Sequence, residues 1–345
     1  IIGFRMRNGT SGVLITGTSR TNVIAHCEIY SNVNNGVEMN GANVRRNTVL
    51  SNRIHGPGQA RGVNIASART NFVWDNDVYR NGGYGVYMIG TVGGNDIRRD
   101  RIYTNGSYGI YLDSGANRNI FVRNAIYGHT FRGVYIVAVT STNRFMNNVI
   151  YKNNYGVDAT PACCADGNEF YNNIVMSNTT TGFANGNLGT KWNNNDVYGN
   201  TPNYNISVAL AEAFGNISAN PLFSNAAAGN FHLSGPSPMS PAVDVGTTNG
   251  LTKYDATAVS GLARDMGVYE TGFTNASLFV VRATNITLGG AGYNTIGGAV
   301  AASRGGDIIE AYAGVFNEAV DVSVRTNLTI RSRAWVLSNN VTNTV

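Results

Sequence analysis

Cysteine, proline and charge are all scarce in this sequence. Three cysteines among 345 residues are too few for the disulfide network that stabilises small secreted domains. The charged fraction is 13%, about half of the usual share. Apolar residues make up 43%, too many for a disordered chain. With 42 glycines and only 7 prolines, the composition indicates a turn-rich all-β protein.

Long apolar runs, basic stripes and familiar catalytic motifs are also missing. No apolar run reaches the roughly 18 residues that a spanning helix requires, so no membrane span is expected. The net charge of +5 is mild and no basic stripe alternates with aromatic residues, so nucleic acid is not an expected partner. Only four histidines occur, at His26, His55, His129 and His232. No Ser-His-Asp order and no phosphate-binding loop accompanies them.

The dominant feature of the sequence is a repeat of fixed length. Three stretches with one shared pattern begin 24 residues apart, at Asn71, Asn95 and Asn119. A period in the twenties indicates a solenoid, in which each repeat buries its apolar face only by stacking on its neighbours. The apolar runs are short, alternating and interrupted by Asn and Gly, so they predict strands and not helices. Each repeat is therefore expected to form one coil of a parallel β-solenoid that rises about 4.8 Å per coil.

The shared pattern, Asn-x-Ile-x-x-Asn-x-Ile-x-x-Asn-x-x-x-Gly-Ile, resembles the coils of the superfamily typified by pectate lyases. The resemblance implies an all-β, right-handed parallel β-helix with coils of about 24 residues. It implies little about function, because function belongs to sites on a fold and not to the fold itself. The Asn-Thr-Asp, Asp-Asp, Gly-His-Gly and Arg-x-Lys motifs of polygalacturonases and the Asp-Pro-His-Glu motif of alginate epimerases are absent. We therefore expect no enzymatic activity and leave the question open.

Two columns of residues recur from coil to coil. A glycine opens one strand of each coil, at Gly12, Gly36, Gly62, Gly85, Gly109, Gly133, Gly156 and Gly182. An asparagine usually lies four residues earlier, at Asn8, Asn32, Asn81, Asn105, Asn153 and Asn178, with His129 in its place once. Such a column predicts a ladder of stacked side-chain amides inside a bend, where Asn also tolerates a left-handed backbone. Cys27 occupies an asparagine position and is predicted to be a small buried residue.

Strand alternation then separates an inward column from an outward one. The inward column is Val37, Val63, Val86, Ile110, Val134 and Val157, and the outward one is Leu14, Glu38, Asn64, Tyr87, Tyr111, Tyr135 and Asp158. Three tyrosines in successive coils would form a flat aromatic strip that stacks on sugar rings, with Glu38 and Asp158 beyond its two ends. The alternative is that the tyrosines only stabilise one another by cross-strand packing.

Opposite charges also recur one coil apart. Asp75 lies 24 residues before Arg99, and Asp77 lies 24 residues before Arg101. In register across a parallel sheet, these residues predict a ladder of ion pairs. The alternative is that Asp75 and Asp77 bind calcium and that an arginine acts as the base of a lyase. No other metal or cofactor is expected.

The regular coils are expected to end near residue 206. The motifs NPLF, NFHL, SPAVDVG and RDMGVYE that follow resemble the closing segment of secreted bacterial β-helix proteins. This resemblance implies that residues 207–272 cover the end of the helix, with structural roles for Asp265 and Glu270. Residues 273–345 resemble the opening of a following β-helix domain, with a short capping helix near 295–303. The adjacent Cys163 and Cys164 are expected to be two thiols, because a bridge between neighbours is strained.

An end followed by a beginning predicts one unit of a head-to-tail array. If Val345 were joined to Ile1, Asn343 would lie 24 residues before Asn22, which keeps the coil period. We expect an extracellular or cell-surface module with a structural or adhesive role, whose partners are copies of itself and a polysaccharide. The alternatives are a polysaccharide lyase or glycosidase, and a module that binds a glycan passively on the tyrosine column.

Overall fold

A computed structural model describes residues 1–137, 140–160, 167–235, 239–247, 263–271, 279–282, 292–293, 296–297, 300, 308–311, 321–323 and 329–332. Up to residue 206 the chain winds through three parallel sheets, and each full coil adds one short strand to each of them. The predicted all-β parallel solenoid of about eight coils, with a spacing near 24 residues, is confirmed. Cys163 and Cys164 lie outside the described residues.

The three sheets are named A, B and C here. Sheet A contains Val23–Ala25, Thr48–Leu50, Phe72–Trp74, Asp96–Arg98, Ile120–Val122, Arg144–Met146, Glu169–Tyr171 and Lys191–Asn193. Sheet B contains Arg5–Arg7, Glu28–Tyr30, Arg53–His55, Asp77–Tyr79, Arg101–Tyr103, Ala125–Tyr127, Val149–Tyr151, Ile174–Met176 and Asp196–Tyr198. Sheet C contains Ser11–Thr16, Asn35–Asn40, Arg61–Ala66, Tyr84–Ile89, Tyr108–Leu112, Arg132–Ile136, Tyr155–Ala159, Thr181–Asn185 and Tyr204–Ile206. A two-stranded pair, Val92–Gly93 with Ala116–Asn117, lies at the turn from C to A.

One apolar core runs through the stack of coils. The predicted inward residues Val37, Val63, Val86, Ile110, Val134 and Val157 are all fully buried and lie in register. Wider rings fill the later coils, where Phe121, Phe145 and Phe170 stack with centroids 4.5 and 4.9 Å apart. Because each coil buries its apolar side chains against the next, the core grows linearly with coil number.

Buried amide ladders line all three corners of the coil, whereas the sequence predicted one. The ladder from C to A is Asn22, Asn47, Asn71, Asn95, Asn119, Asn143 and Asn168. The ladder from A to B is Asn52, Asn76, Asp100, Asn124, Asn148, Asn173, Asn195 and Asn216. The ladder from B to C is Asn32, Gln59, Asn81, Asn105, His129, Asn153, Asn178 and Asn200.

The bonds of one rung show how a ladder works. The main-chain nitrogen and Nδ2 of Asn52 both donate to Oδ1 of Asn76, at 2.9 and 3.0 Å. Nδ2 of Asn52 also donates to the carbonyl oxygen of Ile24 at 2.9 Å. Each rung therefore satisfies main-chain groups that a buried corner would otherwise leave unpaired.

The left-handed backbone at the corners belongs to the residue before the rung and not to the rung. Ser51, Asp75 and Arg99 have φ of 52°, 58° and 54°, and each directly precedes a residue of the ladder from A to B. Asn8, which was predicted to be a rung of the ladder, lies at this preceding position instead and has φ of 62°. The main-chain nitrogen of the following Gly9 donates to Oδ1 of Asn32 at 3.1 Å. The turn at one residue aims the next side chain into the coil.

The glycine column has a steric cause. A Cβ on Gly85 would lie 2.4 Å from Cγ2 of Ile102 and 2.9 Å from Nδ2 of Asn105 in the next coil. A Cβ at Gly109 would likewise meet Ile126 at 2.5 Å. Glycine is required here because the ladder amide and a core side chain of the next coil occupy the space of a Cβ.

The described part of the closing segment lies against the outer face of sheet B, and not only over the end of the stack. Apolar side chains of the segment pack on apolar side chains of sheet B. Those of the segment are Phe231, Leu233, Val243, Val245, Met266 and Val268, and those of the sheet are Ala125, Val149, Tyr151 and Ile174. The outward column of sheet B changes from Arg53, Asp77 and Arg101 to Ala125, Val149 and Ile174 along the stack. An apolar face needs cover, which explains the position of the segment.

Polar contacts fix this segment to the corner between sheets A and B. Asn172 donates to the carbonyl of Thr247 at 2.9 Å and accepts from its nitrogen at 2.8 Å. Arg123 pairs with Glu270 at 3.1 Å, with both side chains nearly buried. Asp265 accepts main-chain bonds from Asp244 and Thr271. The positions of Asp265 and Glu270 are those of structural residues.

Further elements lie beyond the coils. A hairpin of Phe223–Asn225 and Asn230–Leu233 encloses the 3-10 helix Ala226–Ala228. A separate four-stranded sheet contains Gly292–Tyr293, Phe279–Arg282, Ile308–Ala311 and Thr329–Ser332. Within the capping helix expected near 295–303, Ile296, Gly297 and Val300 are helical, and the rest lies outside the described residues. No described helix is long and apolar enough to cross a membrane.

The ladder from A to B carries one acid, Asp100, which is 1% exposed. Its Oδ1 accepts from the nitrogen and Nδ2 of Asn76 at 2.7 and 2.9 Å. Its Oδ2 has no hydrogen-bond partner within the described chain. On the neighbouring rungs this position is an Nδ2 that donates to a carbonyl, as Asn124 does to Ile97 at 3.0 Å. Burial raises the pKa of the Asp100 carboxyl well above its usual range, so the fold favours its neutral form.

Replacing Asp100 by Asn is expected to stabilise the protein by about 1–3 kcal/mol at pH 7, because a buried carboxyl oxygen without a partner is replaced by an amide group that can donate to a carbonyl, as on the neighbouring rungs. The pKa of Asp100 is raised in the fold, so stability is greatest below the unfolded pKa of about 4 and falls as pH rises towards the folded pKa. Urea unfolding should show a smaller loss of stability from pH 5 to pH 8 in Asp100→Asn than in the parent protein. Some pH dependence should remain in the variant, because Asp196 is also buried and burial raises its pKa.

Asp77→Asn is the matched control, because Asp77 lies one coil away on the outer face of sheet B, beside Arg101. It should change the pH dependence little. A lower stability of Asp100→Asn at both pH values would show that the carboxyl is ionised and well solvated.

Candidate functional site

Sheet C carries the predicted tyrosine column. Tyr87, Tyr111 and Tyr135 are in register in successive coils, with Asn64 on one side and Asp158 on the other. Their ring centroids are 5.1 Å apart at both steps, and the planes are tilted by 49° and 32°. The column is therefore as predicted, but the rings do not form the flat strip that was expected.

A second pair of tyrosines, which the sequence reasoning missed, completes the cluster. Tyr84 and Tyr108 stack on each other with centroids 5.3 Å apart. Each also lies edge-on to Tyr111, again at 5.3 Å. Strict alternation from Val86 would turn Tyr84 inward, but Gly85 also faces the core, so the alternation breaks there. The sequence signal for this second pair of tyrosines was the Tyr-Gly or Arg-Gly dipeptide that opens these strands.

Two arginines frame the five rings, which are called the sheet C cluster below. The guanidinium of Arg61 lies 4.9 Å from the ring centroid of Tyr87 and 5.9 Å from that of Tyr84. Arg132 lies 4.3 Å from the centroid of Tyr135. Both contacts are within the range of a cation–π interaction. The cluster thus combines aromatic edges, phenolic hydroxyls and guanidinium donors on one face.

Burial within the cluster is uneven and shifts the phenol groups. Tyr87 is only 8% exposed, and its hydroxyl donates to Oδ2 of Asp113 at 2.8 Å. Burial, followed by that hydrogen bond, raises the pKa of Tyr87, and burial raises the pKa of Tyr111 to about 12. These hydroxyls therefore stay protonated at neutral pH and remain donors.

Glu38 and Asp158 are held by neighbours. Glu38 lies two coils before Tyr87 and accepts from Ser11 and Asn35 at 2.8 and 2.9 Å. Asp158 is 2% exposed, pairs with Arg132 at 2.5 Å and accepts from the nitrogen and hydroxyl of Thr160. Both candidates border the face of the cluster, but neither is a free carboxylate.

The predicted ion pairs between coils are present at Asp75 and Asp77. Arg99 donates from Nε and Nη2 to the two oxygens of Asp75 at 2.7 and 2.8 Å. Arg101 and Asp77 are in register with nitrogen and oxygen 3.6 Å apart. Among the described residues no group of three His, Cys, Asp or Glu side chains is arranged to hold a metal ion. These residues lie at the A–B corner and on sheet B, away from the sheet C cluster.

A second aromatic stack lies on sheet B, where the repeated Ile/Val-Tyr pair was its signal. Tyr30, His55, Tyr79, Tyr103 and Tyr127 stack with planes within 15° of parallel and centroids 4.7–5.5 Å apart. The faces of the inner rings are covered by their neighbours. Only ring edges and hydroxyls face outward, so this stack offers no platform for a sugar ring.

The comparison with known families rests on the coils. Residues 44–201 match the family model of a right handed beta helix region. This match covers less than half of the chain and identifies the fold of the coils as a right-handed β-helix. The expected likeness to the pectate lyase-like superfamily is thereby confirmed as a statement about fold. None of the curated proteins compared with the chain matches it.

Solved structures with a similar β-helix include two of the periplasmic alginate epimerase AlgG and one of the pectate lyase Pel9A. A point mutant of AlgG is 15% identical with a TM-score of 0.44, over 63% of this chain and 47% of that one. AlgG itself is 16% identical with a TM-score of 0.46, over 57% and 59%. Pel9A is 13% identical with a TM-score of 0.39, over 77% and 87%. The chain spans about half the length of the first of these structures, and the likeness concerns the fold alone.

Replacing Tyr87 by Phe is expected to destabilise the protein by about 1.5 kcal/mol, because the half-buried carboxylate of Asp113 loses its donor. Tyr111→Phe is the matched control, since Tyr111 is the next ring of the same column and no hydrogen bond of its hydroxyl is seen in the described chain. Urea unfolding of both variants would test this. Equal stability of the two would mean that the bond between Tyr87 and Asp113 contributes nothing.

Proposed function

We propose that this chain is an adhesive β-helix module, acting outside the cytoplasm, that holds a linear polysaccharide along sheet C without cleaving it. The observation that carries the proposal is the sheet C cluster. Its residues come from four successive strands, Arg61–Ala66 to Arg132–Ile136, a span of about 14 Å along the axis. A rigid row of donors at coil spacing suits an extended polymer better than a small molecule.

The ring packing defines how a glycan would bind. The tyrosines cover one another's faces, so the polymer meets ring edges, phenolic hydroxyls and guanidinium groups. Arg132 is engaged by Asp158, whereas Arg61 forms no ion pair in the part of the chain that the structure describes. A planar guanidinium matches the geometry of a carboxylate. We therefore expect a preference for polysaccharides that carry carboxylate groups.

The absence of turnover is part of the proposal. A glycosidase needs a general acid and a second carboxylate that is free to attack or to activate water. Three carboxylates lie beside the cluster, and each is held by a neighbour. Glu38 accepts from Ser11 and Asn35, and Asp113 accepts from Tyr87. Asp158 is bound to Arg132 and Thr160. A polysaccharide lyase or glycosidase is the alternative function, since its groove would occupy the same face.

A panel of linear neutral and acidic polysaccharides would test the proposal on the full chain. The variant Arg61→Gln, Tyr111→Phe and Tyr135→Phe should bind at least tenfold more weakly, because it removes donors and keeps the ring packing. The matched control is Arg53→Gln, Tyr79→Phe and Tyr103→Phe on sheet B, which should bind like the parent chain. Equal losses in the two variants, no ligand in the panel, or release of unsaturated or reducing sugars would contradict the proposal.

A second proposal, that such modules stack end to end, rests on the apolar side chains of the first coil. Ile2, Phe4 and Leu14 are 63%, 60% and 58% exposed. Exposed apolar side chains on a β-coil favour packing against a further coil. We expect that coil to come from another copy of this chain.

Replacing Ile2, Phe4 and Leu14 by Asp should abolish any concentration-dependent assembly of the chain, since charge would be buried at the junction. Light scattering after size exclusion would measure the mass of both proteins between micromolar and millimolar concentration. Leu188→Asp, a change at an apolar residue 66% exposed elsewhere, is the control. A parent chain that stays monomeric throughout would rule out self-stacking by this route.

A further inference from the structure

The corner between sheets C and A carries a row of unpaired arginines. Arg20, Arg45 and Arg69 are bridged in parallel register in the first three coils, and Arg46 lies beside them. All four are exposed. These four residues are called the arginine row. Their charges are spaced by one coil, about 4.8 Å.

Acids are missing from this corner. The turns 17–22, 41–47, 67–71 and 90–95 contain no Asp or Glu. The row forms no ion pair within the described residues, and Arg45 and Arg69 donate to the main-chain oxygens of Ala42 and Thr91. Several arginines elsewhere are paired, as in Arg5 with Glu28 and Arg99 with Asp75. Like charges in register repel one another, so the row concentrates positive charge that no acid of this corner balances.

An apolar patch lies beside the row over the same three coils. The outward residues of sheet A there are Val23, Ala25, Thr48, Leu50, Phe72 and Trp74. Val23 is 43% exposed, and the rings of Phe72 and Trp74 lie side by side with centroids 4.9 Å apart. The next coil ends the patch with the ion pair of Asp96 and Arg98. The row and the patch therefore form one amphipathic surface.

We propose that this surface binds the anionic headgroups of a lipid membrane, with the arginine row on the phosphates and the patch of Val23, Leu50, Phe72 and Trp74 in the interface. A linear soluble polyanion would use the row and leave the adjacent patch in water. A neutral apolar partner would bury the patch and leave four like charges unbalanced. An anionic lipid surface satisfies both, because aromatic side chains favour the headgroup level.

The charges alone give a measurable affinity. Each arginine close to an anionic leaflet strengthens binding roughly fivefold at moderate salt, so four contribute several hundredfold together. The effect falls with ionic strength, because the Debye length is about 10 Å at 0.1 M salt. The patch adds a contribution that salt does not screen.

Sedimentation with vesicles tests the proposal on the full chain. Vesicles of mixed phosphatidylglycerol and phosphatidylcholine should bind the protein, and pure phosphatidylcholine vesicles should not. Changing Arg20, Arg45, Arg46 and Arg69 to Gln should weaken binding at least a hundredfold. The control changes Arg5, Arg53, Arg99 and Arg101 to Gln, an equal loss of charge on sheet B and the A–B corner, and should weaken it less than threefold.

Fluorescence reports whether the apolar patch enters the interface. Brominated lipids in the anionic vesicles should quench the parent protein, and Trp74→Phe should lose that quenching while it still sediments with the vesicles. Absence of binding to anionic vesicles, or equal losses in the two arginine variants, would overturn the proposal. The proposal would also be overturned if polyphosphate bound through the arginine row while brominated lipids quenched no tryptophan fluorescence. That result would identify a soluble polyanion as the ligand.

Discussion

The buried amide ladders at the three corners are the constraint on which the rest of the structure depends. A coil of about 24 residues must turn three times with little room for water inside. Each turn leaves main-chain groups that need partners. The rung of Asn52, Asn76 and Ile24 supplies them between coils at distances of 2.9–3.0 Å. The strands of sheets A and B are only three residues long, so much of each coil consists of corners that depend on these bonds.

Because the ladders and the inward column hold the coil, the outward columns are free to carry chemistry. Sheet C presents tyrosines and arginines, sheet B a stacked aromatic row, and the C–A corner an arginine row beside an apolar patch. The same freedom explains the closing segment. Where the outward column of sheet B becomes Ala125, Val149 and Ile174, the chain must return to cover it.

The sequence predicted several of the columns that repeat once per coil, but only one of the three ladders. The inward column from Val37 to Val157, the ion pair of Asp75 with Arg99 and the column of Tyr87, Tyr111 and Tyr135 all follow from a period of 24 and strand alternation. Tyr84 was missed because strand alternation breaks beside it, at Gly85. The prediction also assigned Asn8 to a ladder, since a left-handed corner and a rung are adjacent positions that both accept asparagine. The position of the closing segment depends on which outward faces are apolar, and no repeat pattern encodes that.

The exceptions in the ladders show what a rung requires chemically. Gln59 replaces Asn where the loop 54–61 adds residues, and its longer side chain still reaches Asn81 at 2.7 Å. His129 accepts at Nδ1 from Asn105 and contacts the carbonyl of Ile102 through Nε2. That geometry needs a neutral ring with the proton on Nε2. A rung therefore needs one acceptor and one donor, whatever group supplies them.

This requirement gives the two titratable rungs opposite dependences on pH. Burial lowers the pKa of His129 from 6.5 to about 4, so the stability that its neutral ring contributes is lost as pH falls below about 6.5. Burial raises the pKa of Asp100, so the stability of its neutral carboxyl is lost as pH rises above about 4. Each group is kept neutral because a rung has no counter-charge. Between about pH 4 and pH 6.5, a rise in pH therefore increases the contribution of His129 to stability and decreases that of Asp100. A charged group at either rung would disrupt the corner.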